Sequence, residues 1–137
     1  MIRAVIDTNV IVAAMLSTHV DSATVRTLHA IVDGKAEALV SAEILKEYRE
    51  VLSRAKFGFS AERVSSVLTV FERLGKSVLP VNCDSPMPDE KDRVFYEVAL
   101  AESDARLVTG NLKHYPVSPV IVTPAQFCEL LDIFTGV

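Results

Sequence analysis

The sequence is poor in the residues on which several common protein classes depend. Of its 137 residues, two are cysteine, five are glycine and none is tryptophan. Two cysteines are too few for a disulfide framework, and with three scattered histidines they form no zinc-binding pattern. The glycines are dispersed, so neither a P-loop nor a glycine-rich dinucleotide-binding motif occurs. A disulfide-rich protein, a zinc site and a nucleotide-binding loop are therefore disfavoured.

Long apolar runs are also missing, although half of the residues are hydrophobic. No segment is long enough to cross a bilayer as a helix. Asp7 interrupts the apolar start of the chain too early for a signal peptide, and we therefore expect a cytoplasmic protein without a membrane segment. Length and apolar content together predict one domain, residues 1–137, with a substantial core.

Positive charge is in deficit, since the formal net charge is −4. Proteins that bind nucleic acid tightly are usually basic, because phosphate contacts come from lysine and arginine. The deficit argues less against a protein whose acids surround bound cations in a pocket. Four basic residues in and just after one predicted helix form either a solvated face or a contact surface: Lys46, Arg49, Arg54 and Lys56.

Strands and helices are predicted to alternate along the chain. Short β-branched runs bounded by turn residues predict five strands: Ile2–Ile6, Ala38–Val40, Ser77–Leu79, Arg106–Thr109 and Val120–Val122. Helical periodicity predicts six helices: Thr8–Leu16, Ser22–Val32, Ala42–Arg54, Ala61–Leu74, Glu90–Glu102 and Ala125–Phe134. This alternation is typical of an α/β protein with a parallel sheet covered by helices on both faces.

Capping residues at the predicted helix ends support these boundaries. Ser41, Ser60 and Asp89 are predicted N-caps, and Thr123 is predicted to cap the last helix ahead of Pro124. Gly34 and Gly75 follow helices at positions where C-terminal glycines are common.

A carboxylate follows the first predicted strand directly. Asp7 begins the run Asp7-Thr8-Asn9 at the carboxyl end of that strand, where open α/β sheets place their ligands. An aspartate there could instead cap the next helix. Because Thr8 or Asn9 could do the same, Asp7 is left free for a functional role. A Thr109-Gly110-Asn111 turn closes a later strand.

Helical geometry separates the three glutamates of the helix predicted to begin at Ala42. Successive residues advance by about 100° around a helix. Glu47 then lies at the edge of the apolar stripe, beside Val51, whereas Glu43 and Glu50 point towards solvent. We therefore expect Glu47 to reach a partly buried pocket.

Asp92 is the third candidate, in the first turn of the helix predicted from Glu90. It lies at the edge of that helix's apolar stripe, on the side of Phe95 and Ala99. Acids in a first turn can simply stabilise the helix N-terminus. We prefer that role for Asp89 and Glu90, and a functional role for Asp92 because it also adjoins the apolar face.

Several carboxylates in one pocket predict a hard metal ion. Mg²⁺ and Mn²⁺ prefer oxygen ligands and often keep several waters. Clustered carboxylates repel one another unless a cation lies between them. Such a site can polarise a phosphoryl oxygen and generate a metal-bound hydroxide. A metal-dependent nuclease is therefore the leading hypothesis.

Four stretches in this order resemble the PIN-domain ribonucleases, and among them the VapC-like toxins of toxin–antitoxin pairs. They are Val5–Val10, Ser41–Tyr48 with Val51 and Leu52, Asp89–Phe95 continuing to Ala99, and Leu107–Asn111. The resemblance covers nearly the whole chain. It implies a three-layer α/β/α sandwich, a PIN-like fold with a central, mostly parallel sheet of four to five strands.

The resemblance also implies an activity, a cofactor and partners. The activity is hydrolysis of RNA by an endoribonuclease that uses Mg²⁺ or Mn²⁺; the partners are a cognate antitoxin and a second copy of the chain. Its acidic metal positions correspond to Asp7, Glu47 and Asp92, and its polar pocket-lining positions to Thr8, Asn9 and Thr109.

One position departs from the family pattern. The fourth catalytic position is Asn111, where aspartate is common in the family, so the chain supplies no charge there. Asp104 precedes the strand, and His114 is expected to be a surface residue. This departure leaves open a catalytically weak PIN-like module that binds RNA or a protein without cleavage.

A phosphotransfer enzyme is disfavoured on its own motifs. Haloacid-dehalogenase-like phosphatases carry a second aspartate two residues after the first, and here that residue is Asn9. Receiver domains need a lysine after a late strand, and Lys113 is the only candidate. They also need an aspartate at the end of a central strand, which this chain lacks.

Overall fold

The structure is a computed structural model that describes residues 1–134. Its strands are β1 (Ile2–Ile6), β2 (Ala36–Val40), β3 (Lys76–Ser77), β4 (Arg106–Val108) and β5 (Ile121–Val122). Its helices are α1 (Thr8–Leu16), α2 (Ala23–Val32), α3 (Ala42–Leu52), α4 (Ala61–Leu74), α5 (Arg93–Leu100) and α6 (Pro124–Phe134). Short 3₁₀ turns span Ala55–Phe57, Glu90–Asp92 and Leu112–His114.

The described strands form one sheet in the order β3-β2-β1-β4-β5, and all neighbours run parallel. The centre of the sheet is buried on both sides: Ala4, Val5 and Ile6 of β1 are completely buried. Successive side chains of a strand point to opposite faces, so helices must cover both. The predicted three-layer α/β/α sandwich is thereby confirmed.

The first strand, β1, lies in the middle of the sheet because later strands are added on both of its sides. The chain builds β2 and β3 on one side and later returns to add β4 and β5 on the other. The carboxyl end of β1 therefore lies between the carboxyl ends of β2 and β4. This is the switch point at which open α/β sheets bind ligands.

Helix packing holds α3 against the end of β1. The Tyr48 hydroxyl donates a hydrogen bond to the Ile6 carbonyl oxygen at 2.5 Å. The Tyr48 ring also contacts Phe71 and Phe95, with centroids 5.0 and 6.2 Å away. Because Tyr48 is completely buried, its neighbour Glu47 is held at the same strand end.

Several predicted boundaries were wrong by one or two residues. β2 begins at Ala36 rather than Ala38, because Ala36 and Glu37 also pair with β1. β3 spans Lys76–Ser77 rather than Ser77–Leu79. The Val78 N–H still bonds to β2, but Pro80 has no N–H with which to extend the ladder. The two strands on the other side, β4 and β5, are each one residue shorter than predicted.

The helix predicted over Glu90–Glu102 is divided in the structure. Asp89 accepts a hydrogen bond from the Lys91 N–H and tightens the first turn into a 3₁₀ turn. α5 then ends at Leu100, ahead of Asp104, whose φ of 63° is left-handed and incompatible with a continued helix. α3 ends at Leu52 rather than at Arg54, whose backbone is extended and begins a separate 3₁₀ turn.

The predicted helix caps can be compared with their contacts. Ser41 and Ser60 cap α3 and α4 through their side chains, as predicted, and Ser22 caps α2 instead of belonging to it. Thr123 and Gln126 exchange hydrogen bonds at the start of α6, which is a capping box. α6 accordingly begins at Pro124, one residue earlier than predicted.

Gly75 ends α4 for a different reason from the one expected. Its φ is −76°, so no left-handed conformation is required. A Cβ atom there would lie 2.3 Å from the Phe71 carbonyl oxygen and about 3.2 Å from a Val40 methyl group. Close approach of the chain explains this glycine. None of the helices within residues 1–134 is long and apolar enough to cross a membrane.

Candidate active site

Asp7 is held at the carboxyl end of β1 by the neighbouring strand. Its N–H bonds to the Val108 carbonyl oxygen of β4 at 2.9 Å. It occupies the N-cap position of α1, yet its side chain makes no capping hydrogen bond. The competing explanation, a capping aspartate, is therefore not supported. The side chain points into the site, where it is 5% exposed.

Two hydroxyls orient the Asp7 carboxylate. Thr109 and Tyr115 each donate a hydrogen bond to Asp7 Oδ2 at 2.9 Å. Within residues 1–134, Asp7 Oδ1 accepts no hydrogen bond from the protein. Every fully buried side-chain oxygen or nitrogen in this range has a partner, so Oδ1 is not fully buried. Oδ1 is therefore accessible to a ligand while Oδ2 is held in place.

A polar loop supports these contacts from the end of β4. Thr109 is completely buried, and its hydroxyl accepts hydrogen bonds from the Asn9 side chain and the Asn111 N–H. The Asn9 side-chain oxygen accepts from the Gly110 N–H at 3.0 Å. Asn9 and Thr109 thus tie α1 to the β4 loop and fix the orientation of Asp7.

Glu47 enters the site from α3 and is partly buried, whereas Glu43 and Glu50 are exposed, as helical geometry predicted. The Thr8 hydroxyl donates to Glu47 Oε2 at 2.5 Å. Burial is the main cause that raises the Glu47 pKa, and the charge of Asp7 adds to it. The Thr8 hydrogen bond and the charge of Arg54 lower it. The balance shows a carboxylate in a pocket that already holds negative charge.

Asp92 lies where the 3₁₀ turn Glu90–Asp92 meets α5. Its side chain makes no capping hydrogen bond, although it occupies the N-cap position. Burial, followed by the charge of Asp7, raises its pKa to about 6, and His114 lowers it. His114 Nδ1 lies 3.6 Å from Asp92 Oδ2. The side chain therefore faces the other acids and His114.

Asn111 occupies a different environment from the three acids. It is exposed, and its side-chain oxygen caps the 3₁₀ turn Leu112–His114 by accepting from the Lys113 N–H. Its side-chain nitrogen lies 3.0 Å from His114 Nε2. Asn111 thus contacts His114, which in turn faces Asp92. The side chain organises this loop and adds no charge to the pocket.

Sequence reasoning missed two residues of the site. Tyr115 was not considered, and His114 was expected at the surface; His114 is exposed, but it pairs with Asp92. Tyr115 is buried, and burial together with the charge of Asp7 raises its pKa far above the usual range, so it remains a hydrogen-bond donor. No local pattern marks a tyrosine in a loop as the partner of an acid 108 residues away.

The donor set fits a hard divalent cation. Asp7 raises the pKa of both Glu47 and Asp92, which means that the three carboxylates repel one another across one pocket. A cation between them would remove that repulsion. Within residues 1–134, no three acidic, histidine or cysteine side chains already lie close enough together to hold a metal. One or two direct carboxylate ligands with waters, the arrangement that Mg²⁺ favours, are compatible with this geometry.

Comparison with known proteins identifies a family. Residues 3–113 match the family model of the PIN domain. The matched range includes all seven site residues predicted from the sequence and ends just before His114 and Tyr115. A search of curated proteins found no match to this chain.

Proposed function

The chain belongs to the PIN-domain family, whose members are generally metal-dependent nucleases, and from that premise we propose that it is a Mg²⁺- or Mn²⁺-dependent endoribonuclease. The observation that carries the proposal is the convergence of Asp7, Glu47 and Asp92. They come from β1, α3 and the turn before α5, and Asp7 interacts electrostatically with the other two. Mutually repelling carboxylates cost stability, and a cation bound between them would offset that cost.

Asp7, Glu47 and Asp92 would hold the ion, directly or through its waters. A bound Mg²⁺ or Mn²⁺ supplies Lewis acidity towards a phosphoryl oxygen and lowers the pKa of a coordinated water. The chain's own contribution is orientation. Thr109 and Tyr115 hold one oxygen of Asp7, and Thr8 holds one oxygen of Glu47. Such contacts keep ligands in one geometry and are often as important as the ligands themselves.

We further propose that the chain is a single-domain cytoplasmic toxin, kept inactive by a cognate antitoxin, and that it forms a homodimer. Support comes from the resemblance of the four ordered stretches to VapC-like toxins. Growth arrest on expression, relieved by expression of a neighbouring gene product, is the expected behaviour. Full growth together with demonstrated RNA cleavage in vitro would contradict the toxin role and leave the nuclease intact.

Asn111 favours a second candidate function. Its side chain caps a 3₁₀ turn and contributes no charge, so the pocket has one acid fewer than the usual family pattern. The alternative is a catalytically weak PIN-like module that binds RNA or a protein partner without cleaving it. It predicts binding that persists in EDTA and in Asp92→Ala.

The test is cleavage of a mixed cellular RNA pool in Mn²⁺, Mg²⁺ or EDTA. We expect metal-dependent fragments from the wild type and none from Asp7→Asn or Glu47→Gln. Glu129→Gln is the control, because Glu129 is an exposed glutamate of α6 that lies outside the acidic site and whose side chain forms no hydrogen bond or ion pair within residues 1–134. Cleavage that is equally strong in Asp7→Asn and in the wild type would refute the proposal. Intact RNA in every sample would favour the binding module.

A further inference from the structure

A surface cleft of about 360 Å³ adjoins the acidic site. It runs between α3 and the turn before α5, and Glu47 lines it. Lys91, the residue before Asp92 in the chain, lines its opposite side. The cleft therefore adjoins two of the three elements that carry the acids of the site: α3, which carries Glu47, and the turn before α5, which carries Asp92.

Three cations line this cleft: Lys46, Arg54 and Lys91. All three are exposed. In the described part of the chain none of them forms an ion pair, whereas Arg3, Arg49 and Arg93 each bind a carboxylate. The charge of Arg54 nevertheless reaches the site, because it lowers the Glu47 pKa. The three cations are thus exposed and make no close ion pair within residues 1–134, which leaves them free to contact a ligand although carboxylates line the same cleft.

The lining of the cleft argues for a charged ligand. Among the described residues that line it, only Val51 and Val94 are apolar and none is aromatic. Protein partners are usually anchored by buried aromatic or large apolar side chains, for which this cleft has no pocket. Phosphate oxygens are bound mainly by lysine and arginine side chains and backbone N–H groups. A polyanion with regularly spaced charges fits this lining better than an amphipathic helix.

We infer that this cleft binds the sugar–phosphate backbone of an RNA strand beside the bond that is to be cleaved, through Lys46, Arg54 and Lys91. The inference rests on the proposed function for the identity of the polyanion. Glu43, Glu47 and Glu50 also line the cleft, so three carboxylates oppose its three cations. Binding is therefore expected to be modest at physiological salt and steeply salt-dependent, in keeping with the overall charge of −4.

The test measures binding and cleavage separately. Binding of a fluorescent, short single-stranded RNA of randomised sequence is followed by anisotropy in EDTA, from about 50 to about 200 mM salt. Lys91→Gln and Arg54→Gln are each expected to raise Kd about three- to fivefold at low salt and to reduce the salt slope by about 0.7. Lys35→Gln is the matched control. Lys35 is exposed and precedes β2, at the opposite end of the sheet, and no change is expected.

Cleavage in Mn²⁺ then distinguishes failure of this inference from failure of the proposed function. We expect Lys91→Gln to raise KM and leave kcat unchanged, because the contact is the same in the ground and transition states. Active enzyme with wild-type Kd and salt slope in both cleft variants would overturn the cleft assignment alone. If the wild type never cleaves RNA and the cleft variants bind RNA more weakly than it does, the nuclease proposal is overturned and the cleft assignment stands. If polyglutamate binds more tightly than RNA, and if that binding is lost in the same variants, the assignment of RNA as the ligand is also overturned.

Discussion

Replacement of Asp92 by asparagine is expected to stabilise the metal-free protein and to abolish its activity. The Asp92 carboxyl group has a pKa of about 6 in the folded protein, against an ordinary value of 3.8. Above pH 6 the folded state therefore holds a charge that burial and the nearby Asp7 carboxylate disfavour. Asparagine has nearly the same shape and removes that charge.

The magnitude follows from the pKa difference. A rise of about two units corresponds to at most about 3 kcal/mol, at 1.36 kcal/mol per unit. The Asp92 side chain is 15% exposed and water screens part of the repulsion, so a gain of about 1 kcal/mol is expected. For a domain of this size that is a rise in Tm of about 3–5 °C. Because the folded pKa of Asp92 lies above the unfolded value, its carboxyl group contributes stability that is fully present below about pH 4. That stability is lost as the pH rises through about 6.

The assay is thermal unfolding followed by circular dichroism in EDTA, at pH 5 and pH 8. The stability difference between Asp92→Asn and wild type should be larger at pH 8, where the Asp92 carboxyl group is ionised in the folded protein, than at pH 5, where it is mostly protonated. Mn²⁺ should raise the wild-type Tm and change that of the variant little. Asp84→Asn, at an exposed acid in the preceding loop, is the control. A variant that is less stable than wild type at pH 8 in EDTA would refute the reasoning.

Three further substitutions test two hydrogen bonds to the acids of the site and the close packing at the end of α4. Tyr115→Phe removes a hydrogen bond to the carboxylate after β1 and is expected to lower stability by about 1.5–3 kcal/mol in urea unfolding and to lower kcat. Tyr96→Phe, at a buried tyrosine whose hydroxyl makes no hydrogen bond within residues 1–134, should do neither, and equal effects would contradict the assignment. Thr8→Val removes the bond that lowers the Glu47 pKa, so the acid limb of the pH–rate profile should move to higher pH; an unmoved limb would exclude this role. Gly75→Ala should cost about 2 kcal/mol or more in urea unfolding, because the new Cβ would lie 2.3 Å from a carbonyl oxygen; a neutral change would contradict the crowding argument.

Much of the architecture could be predicted, because it depends on short-range periodicity. α1 and α4 have the predicted bounds, and Ser41 and Ser60 cap the helices assigned to them. Errors are confined to element ends, where contacts outside the segment decide the boundary. The pairing of Ala36 with β1 extends β2 in this way, and the Asp89 side chain tightens the turn before α5.

The candidate site could be predicted only where the position of an acid on its own helix or strand shows whether its side chain faces the core or solvent. Glu47 is partly buried and its helix neighbours Glu43 and Glu50 are exposed, as the helical wheel indicated. The functional roles of the seven predicted residues remain predictions. Tyr115 could not be found in this way, because its contact with Asp7 joins loops that are adjacent only after the sheet has formed.

The sequence by itself determined the elements, the parallel sheet and the strand-end position of Asp7, because periodicity, capping and β-branched runs act over a few residues. Only the tertiary structure decided which groups meet that carboxylate. β4 returns beside β1, so Thr109 and Tyr115 reach one oxygen of Asp7 while α3 and the turn before α5 bring Glu47 and Asp92 to its pocket. Tertiary packing also set the pKa values of Glu47 and Asp92, because burial and the charge of Asp7, 40 or more residues away in the chain, raise both. These are long-range effects of chain folding, and no local pattern encodes them.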